Sequence, residues 1–144
     1  MLKVKELIRQ KGTAIYYISP NTSMRAAIEM MVEKNVGALP VLNENGLVGI
    51  ISERDMMHCL AEESEAILEM PVEIFMTKNV VSVSSETPLE ECMQAMINRN
   101  FRHLLVTEDG QVSGIVSMRD MVKTLLNDRD VLIADLEKYI TGSR

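Results

Sequence analysis

The residues best suited to chemistry stand in one short stretch that the chain uses twice. Gly49-Ile50-Ile51-Ser52-Glu53-Arg54-Asp55-Met56 recurs as Gly114-Ile115-Val116-Ser117-Met118-Arg119-Asp120-Met121. In each copy an aliphatic run with strand character leads straight into Ser-x-x-Asp at the start of a helix. That spacing has two uses, and both are open at this level. Ser52 and Ser117 can accept a hydrogen bond from the third helical amide while Asp55 and Asp120 reach back to the cap amide, a capping box that needs no ligand. The same geometry presents unpaired N–H groups and the positive end of a helix dipole, which attract a phosphate. A serine hydroxyl can bond that phosphate, and an ionised aspartate can accept two hydroxyls, as the cis-diol of a ribose offers. Gly49 and Gly114 either relax a strand end or let another backbone come close.

Other chemistries find little support. His58 and Cys59 are neighbours in a helical stretch, so their side chains diverge by about 100° and make a poor dyad. His103 has no partner at metal-ligand spacing, and Cys59 and Cys92 lie in no CxxC or CxxH cluster, as expected of reduced, buried thiols. There is no glycine-rich dinucleotide fingerprint and no Walker loop. A net charge of −6 argues against nucleic acid and anionic membrane as partners. No apolar run approaches the ~18 residues of a membrane span, and the N-terminus lacks a signal-peptide core. These features predict a cytoplasmic protein without catalytic activity, catalytic cofactor or metal.

The elements that must position the two Ser-x-x-Asp stretches repeat as well. A shift of 65 residues lays Ala14–Leu60 on Asn79–Leu125, whereas Val4–Ile8 matches Val72–Met76 at a shift of 68. The first copy therefore has three extra residues around Arg9–Thr13, where Lys11-Gly12 suggests a loop. Each copy begins with a β-prone run, Ala14–Ile18 or Val80–Val83. An amphipathic helix follows, with Met24, Ala27, Ile28, Met31 and Val32 on one stripe and Leu89, Cys92, Met93, Met96 and Ile97 on the other. Those stripes read as core packing rather than soft-metal ligands. Thr87-Pro88-Leu89-Glu90 predicts a helix start with Thr87 as the cap. Hairpins come next, Ala38–Leu42 with Leu47–Ile51 and His103–Thr107 with Val112–Val116, turning at Asn45-Gly46 and Asp109-Gly110. Helices over Arg54–Ala61 and Arg119–Asn127 complete the units. A further helix, Asp130–Ile140, places Leu132, Ile133, Leu136 and Ile140 on one face. The expected fold is α/β (α+β): two tandem βαββα-type repeats over residues 1–65 and 66–128, packed with pseudo-two-fold symmetry, then a C-terminal helix and tail over 129–144.

With its two strand-to-helix junctions, Gly37-Ala38-Leu39-Pro40-Val41 ahead of one and Arg102-His103-Leu104-Leu105-Val106 ahead of the other, the chain resembles a tandem pair of CBS domains, or Bateman module. The resemblance covers about Val4 to Leu126. It implies two clefts between the halves that bind adenosine ligands: AMP, ADP, ATP, S-adenosylmethionine or NAD-type molecules. By that resemblance Asp55 and Asp120 hold ribose hydroxyls. Ser52 and Ser117, with Arg54, Arg119, Arg102 and His103, serve phosphate. The base lies near Tyr16, Tyr17 and Ile18 in one site and Thr77, Val81 and Ser82 in the other, flanked by Val36, Ala38 and Phe101. Leu105 departs from the family's commoner proline, present as Pro40, and is expected to shift a strand slightly. Arg102-His103 in place of Gly37-Ala38 is expected to favour the Asp120 cleft for a mono- or diphosphate. The expected role is a regulatory sensor that acts in trans on a protein target and forms a homodimer through leftover apolar helix faces. The alternative is a dimerising scaffold that uses no nucleotide.

Overall fold

A computed structural model describes residues 2–12 and 15–141, without the side chains of 130–135 and 138–141. The elements run α1 (Val4–Lys11), α2 (Met24–Lys34), β1 (Ala38–Asn43), β2 (Gly46–Ser52), α3 (Glu53–Glu63), β3 (Ser82–Ser84), α4 (Leu89–Arg99), β4 (His103–Glu108), β5 (Gln111–Ser117) and α5 (Met118–Thr141). Two short 3-10 turns, Glu65–Glu69 and Val72–Ile74, join the halves. Both hairpins form where expected: β1 pairs antiparallel with β2, and β4 with β5. Positive φ at Gly46, and at both Asp109 and Gly110, makes the reversals, the second with the two left-handed centres of a type I′ turn.

The halves differ at the first strand. β3 pairs in parallel with β4 over three residues, whereas among the described residues the first half has one bridge there, Ile18 with Val41. Proline explains the difference. The Leu105 amide donates to the Val81 carbonyl at 3.2 Å. Pro40, at the equivalent place, has no N–H to give. The predicted strand Ala14–Ile18 is thus reduced to a contact at Ile18 (Ala14 itself lies outside the described residues).

Three further expectations need correction. α4 begins at Leu89 with Pro88 at the cap position, and Thr87 makes no cap bond; its hydroxyl meets Ser84 Oγ at 3.3 Å instead. The break expected near residue 128 is not there, because α5 runs unbroken from Met118 to Thr141. The last member of each helical stripe, Val32 and Ile97, faces outward. Of the apolar face expected on the last helix, Leu136 is exposed, and the side chains of Leu132, Ile133 and Ile140 lie outside the described residues.

The remaining stripe residues build two equivalent cores. Met24, Ala27, Met31, Leu39, Val41, Ile51 and Met56 pack in one, and Leu89, Cys92, Met96, Leu104, Val106, Val116 and Met121 occupy the matching places in the other. Each core is closed by residues from the opposite half. Val4 and Leu7 of α1 fill the second core, while Ile67 and Val72 fill the first. The backbone bridges Lys3–Pro88 and Pro71–Ser23 are one contact made twice, related by the 68- and 65-residue shifts. Exchanged in this way, neither half can bury its apolar sheet face without the other.

The crossing segments pass close over the sheets at two glycines. A Cβ on Gly49 would lie 2.9 Å from the Thr77 carbonyl oxygen and 2.6 Å from Met76 Sδ. On Gly114 it would meet Ile8 Cδ1 at 2.8 Å. Close backbone approach, one of the two readings of these glycines, is seen at Gly49; at Gly114 the neighbour is the Ile8 side chain.

Candidate functional site

Each Ser-x-x-Asp stretch forms a complete capping box. The Asp55 amide donates to Ser52 Oγ (3.1 Å) and the Ser52 amide to Asp55 Oδ2 (3.0 Å). The Asp120 and Ser117 pair repeats this at 3.1 and 2.9 Å. The box thus engages Oδ2 of each carboxylate, and a carboxylate can accept about four hydrogen bonds. Capping and ligand binding are therefore compatible in one residue. The first helical amides, of Glu53 and Met118, donate to the carbonyls of Gly37 and Arg102, which ties the segment before each hairpin to the helix start.

Two clefts open at these junctions. One, about 390 Å³, is lined by Ile50, Ser52, Glu53, Arg54, Asp55, His58 and Thr77 together with Arg99, Asn100, Phe101, Arg102 and His103 of the second half. The other, about 820 Å³, is lined by Ser117, Met118, Arg119, Asp120 and Lys123 together with Lys11, Asn35, Val36, Gly37 and Ala38 of the first half. Both fall within the ~300–1,000 Å³ of small-molecule sites. Each has its carboxylate in one half and a facing wall in the other, so the pseudo-two-fold packing creates the clefts.

The expected phosphate residues Ser52, Arg54, Ser117 and Arg119 sit beside their carboxylates. Arg102 and His103 line both clefts, so this pair cannot rank one above the other. Burial, reinforced by the Lys11 and Arg102 charges, holds the His103 imidazole below its usual pKa, against the pull of Asp120 and Glu53. At neutral pH it is an uncharged hydrogen-bonding group rather than a cation. Among residues expected at the base, Thr77 and Phe101 line the Asp55 cleft, and Val36, Ala38 and Phe101 the Asp120 cleft. Tyr16 lines a third, adjoining cavity with Lys11 and Ile115, its ring 5.1 Å from Lys34 Nζ. The other four line none of these three cavities. Ile18 belongs to the first core, Val81 packs on the second, Ser82 is in β3, and Tyr17 is exposed. Tyr16 and Tyr17 lie on an irregular segment ahead of β1.

Lys11 is the residue that sequence reasoning missed. It ends α1, where Gly12 at φ +98° stops the helix. Its ammonium donates to Asp120 Oδ2 at 2.7 Å and to the Ile115 carbonyl at 2.8 Å. In the other half the equivalent carbonyl, of Ile50, accepts the Thr77 main-chain amide at 2.9 Å. Burial pushes the Asp120 carboxyl up. Its bonds from Lys11 and Ser117 outweigh that and hold it below the usual aspartate range. Asp55 makes no ion pair within 4.0 Å among the described residues. The signal available in sequence was the three-residue insertion that contains Lys11.

Burial raises both thiols, that of Cys92 to about 11, so they stay protonated at neutral pH. Among the described residues no group of three or more His, Cys, Asp or Glu side chains is placed to hold a metal ion, and no helix is long and apolar enough to cross a membrane.

The paired capping boxes, crossed clefts and exchanged core residues are those of a CBS pair. The CBS-domain family profile matches residues 4–62 and 72–127, and the chain belongs to that family. An uncharacterized 17.7 kDa protein of Acidianus ambivalens is 37% identical over 117 residues, covering 80% of this chain and 70% of that one. The CBS domain pair of protein MJ0100, solved with 5′-methylthioadenosine and S-adenosyl-L-methionine, superposes with a TM-score of 0.75 at 25% identity, covering 89% of this chain and 98% of that chain. CBSX2, solved in complex with AMP, gives 0.74 at 28% identity, covering 90% and 99%.

Proposed function

We propose that the chain is a regulatory module that binds an adenosine ligand in the clefts between its halves and passes the occupancy on to a protein partner. The observation that carries this reading is the repeated pairing of an ionisable carboxylate with a helix N-terminus, each at the mouth of a ligand-sized cleft walled by the other half. The carboxylate suits a ribose diol, and the helix start with its arginines suits a phosphate. Structural neighbours solved with AMP, S-adenosylmethionine and methylthioadenosine support the same ligand class. Adenine mononucleotides and NAD-type ligands are the finer candidates. A ligand bound across the halves regulates by preferring one of their arrangements.

Calorimetry and thermal unfolding with AMP, ATP, NAD and S-adenosylmethionine test this reading. A ligand at a hundred times its Kd stabilises the fold by about 2.7 kcal/mol, a clear rise in Tm. Flat melting curves at millimolar concentrations of all four would favour the scaffold reading.

A specific observation supports self-association as part of the same proposal. The exposed apolar residues recur in symmetry-related places, Val32 with Ile97 and Met57 with Val122, on the outward helix faces. A second copy would cover them as a homodimer in the cytoplasm. A monomeric mass by light scattering at tens of micromolar, with and without ligand, would remove that part.

A further inference from the structure

Each cleft pairs an aspartate with arginines, Asp55 with Arg54, Arg99 and Arg102 and Asp120 with Arg102 and Arg119, yet one of them already contains a cation bonded to its aspartate. We propose that Lys11 is a built-in counter-ion that reserves the Asp120 cleft for phosphorylated adenosine ligands, while the Asp55 cleft also accepts the bare nucleoside. This deepens the adenosine reading above and rests on it.

The geometry carries the asymmetry. At one position of the fold, the carbonyl that closes the cleft accepts a main-chain amide in the first half (Thr77 to Ile50) and an ammonium in the second (Lys11 to Ile115). The amide is fixed and uncharged. The ammonium sits on a flexible stem and also holds Asp120 Oδ2 at 2.7 Å. A second substitution points the same way. His58 lines the Asp55 cleft, and the residue 65 places later, lining the Asp120 cleft, is Lys123.

The consequence for a ligand follows from charge pairing. A ribose diol that spans both carboxylate oxygens of Asp120 competes with the ammonium for Oδ2, and a neutral nucleoside offers that ammonium no anion in exchange. Lys11 then loses its ionic partner in a partly buried cleft and keeps the neutral Ile115 carbonyl, which opposes binding. A phosphorylated ligand brings its own anion. Lys11 can leave Asp120 for the phosphate, exchanging one charge-assisted hydrogen bond for another beside Arg119 and Lys123. At Asp55 no ion pair has to be broken, so adenosine and AMP both find the carboxylate available.

The test is the stoichiometry of adenosine and of AMP, measured by calorimetry on the original chain and on its Lys11→Met and Lys11→Arg variants. Methionine keeps helix propensity at this helix end. AMP should fill both clefts of the original chain and adenosine only one. Lys11→Met should raise the adenosine stoichiometry by one site per chain and weaken AMP at that site by about tenfold, the scale of one lost charge-assisted bond. Lys11→Arg should keep the original pattern. An adenosine stoichiometry that Lys11→Met leaves unchanged while AMP still binds would overturn this inference alone. Failure of AMP and adenosine to bind any of the three proteins would overturn this inference, and the adenosine reading falls with it where ATP, NAD and S-adenosylmethionine fail as well.

Discussion

The two halves share a period, a hairpin and a capping box, but they differ at the sheet edge and at the cleft mouth. In the second half β3 adds a parallel strand to the hairpin; in the first, Pro40 lacks the amide that would complete it. In the second half Asp120 is held by Lys11; in the first, Asp55 faces a cleft whose corresponding contact is a main-chain amide. Duplication copies a fold readily because its core positions tolerate aliphatic exchange. Function separates at the few places where one copy gains or loses a single donor.

The largest effect that would test this comparison lies at the glycines. Gly49→Ala drives a Cβ against the Thr77 carbonyl, which is backbone and cannot turn aside, whereas Gly114→Ala meets only the end of the Ile8 side chain. Overpacking of the first kind costs about 1–3 kcal/mol, and the second should cost less than about 1 kcal/mol because Ile8 can change rotamer. Urea denaturation of both variants measures the difference, and equal losses would show that the crossings are equally soft.

Next comes the sheet edge. Leu105→Pro removes the bond to the Val81 carbonyl and should cost about 1–3 kcal/mol. The reverse change, Pro40→Leu, gains a donor worth about 0.5–1.5 kcal/mol but loses about 0.4–1 kcal/mol of chain stiffness, so it should be nearly neutral. A strongly stabilising Pro40→Leu would mean that the first half is held back by that proline alone.

The smallest effect is electrostatic. Because Asp120 has its pKa lowered in the folded state, the stabilisation it supplies is fully present above the ordinary aspartate pKa of about 3.9 and disappears as pH falls through the lower folded value. Both partners retain partial exposure, at 35% and 24%, so the pair is worth at most about 1 kcal/mol. The stability gap between the original chain and Lys11→Met should therefore be constant from pH 7 to about 5 and close in stronger acid. A gap that widens on acidification would contradict the pairing.

Much of this molecule was legible before its structure. The 65-residue shift located both hairpins, both capping boxes and the buried Met24, Met31, Cys92 and Met96, because those features follow from local spacing and from a face that must be buried. The offset of 68 at the N-terminus also foretold an insertion. What the spacing could not show was the destination of these segments. Val4 and Leu7 read as the start of the first unit, yet they close the core of the second, since a small sheet face is buried by whichever apolar segment the packing brings to it. Tyr17, Val81 and Ser82, expected near the base, line neither cleft among the described residues.

The sequence by itself therefore determined the repeat, the element types and the chemistry at each strand-to-helix junction, all set by short-range periodicity and hydrogen-bonding capacity. The tertiary structure alone decided which half walls which cleft, that Arg102 and His103 face both, and that Lys11 meets Asp120 across more than a hundred residues of chain. Those contacts arise from the crossing of the two halves, and long-range packing leaves no trace in the spacing of neighbouring residues.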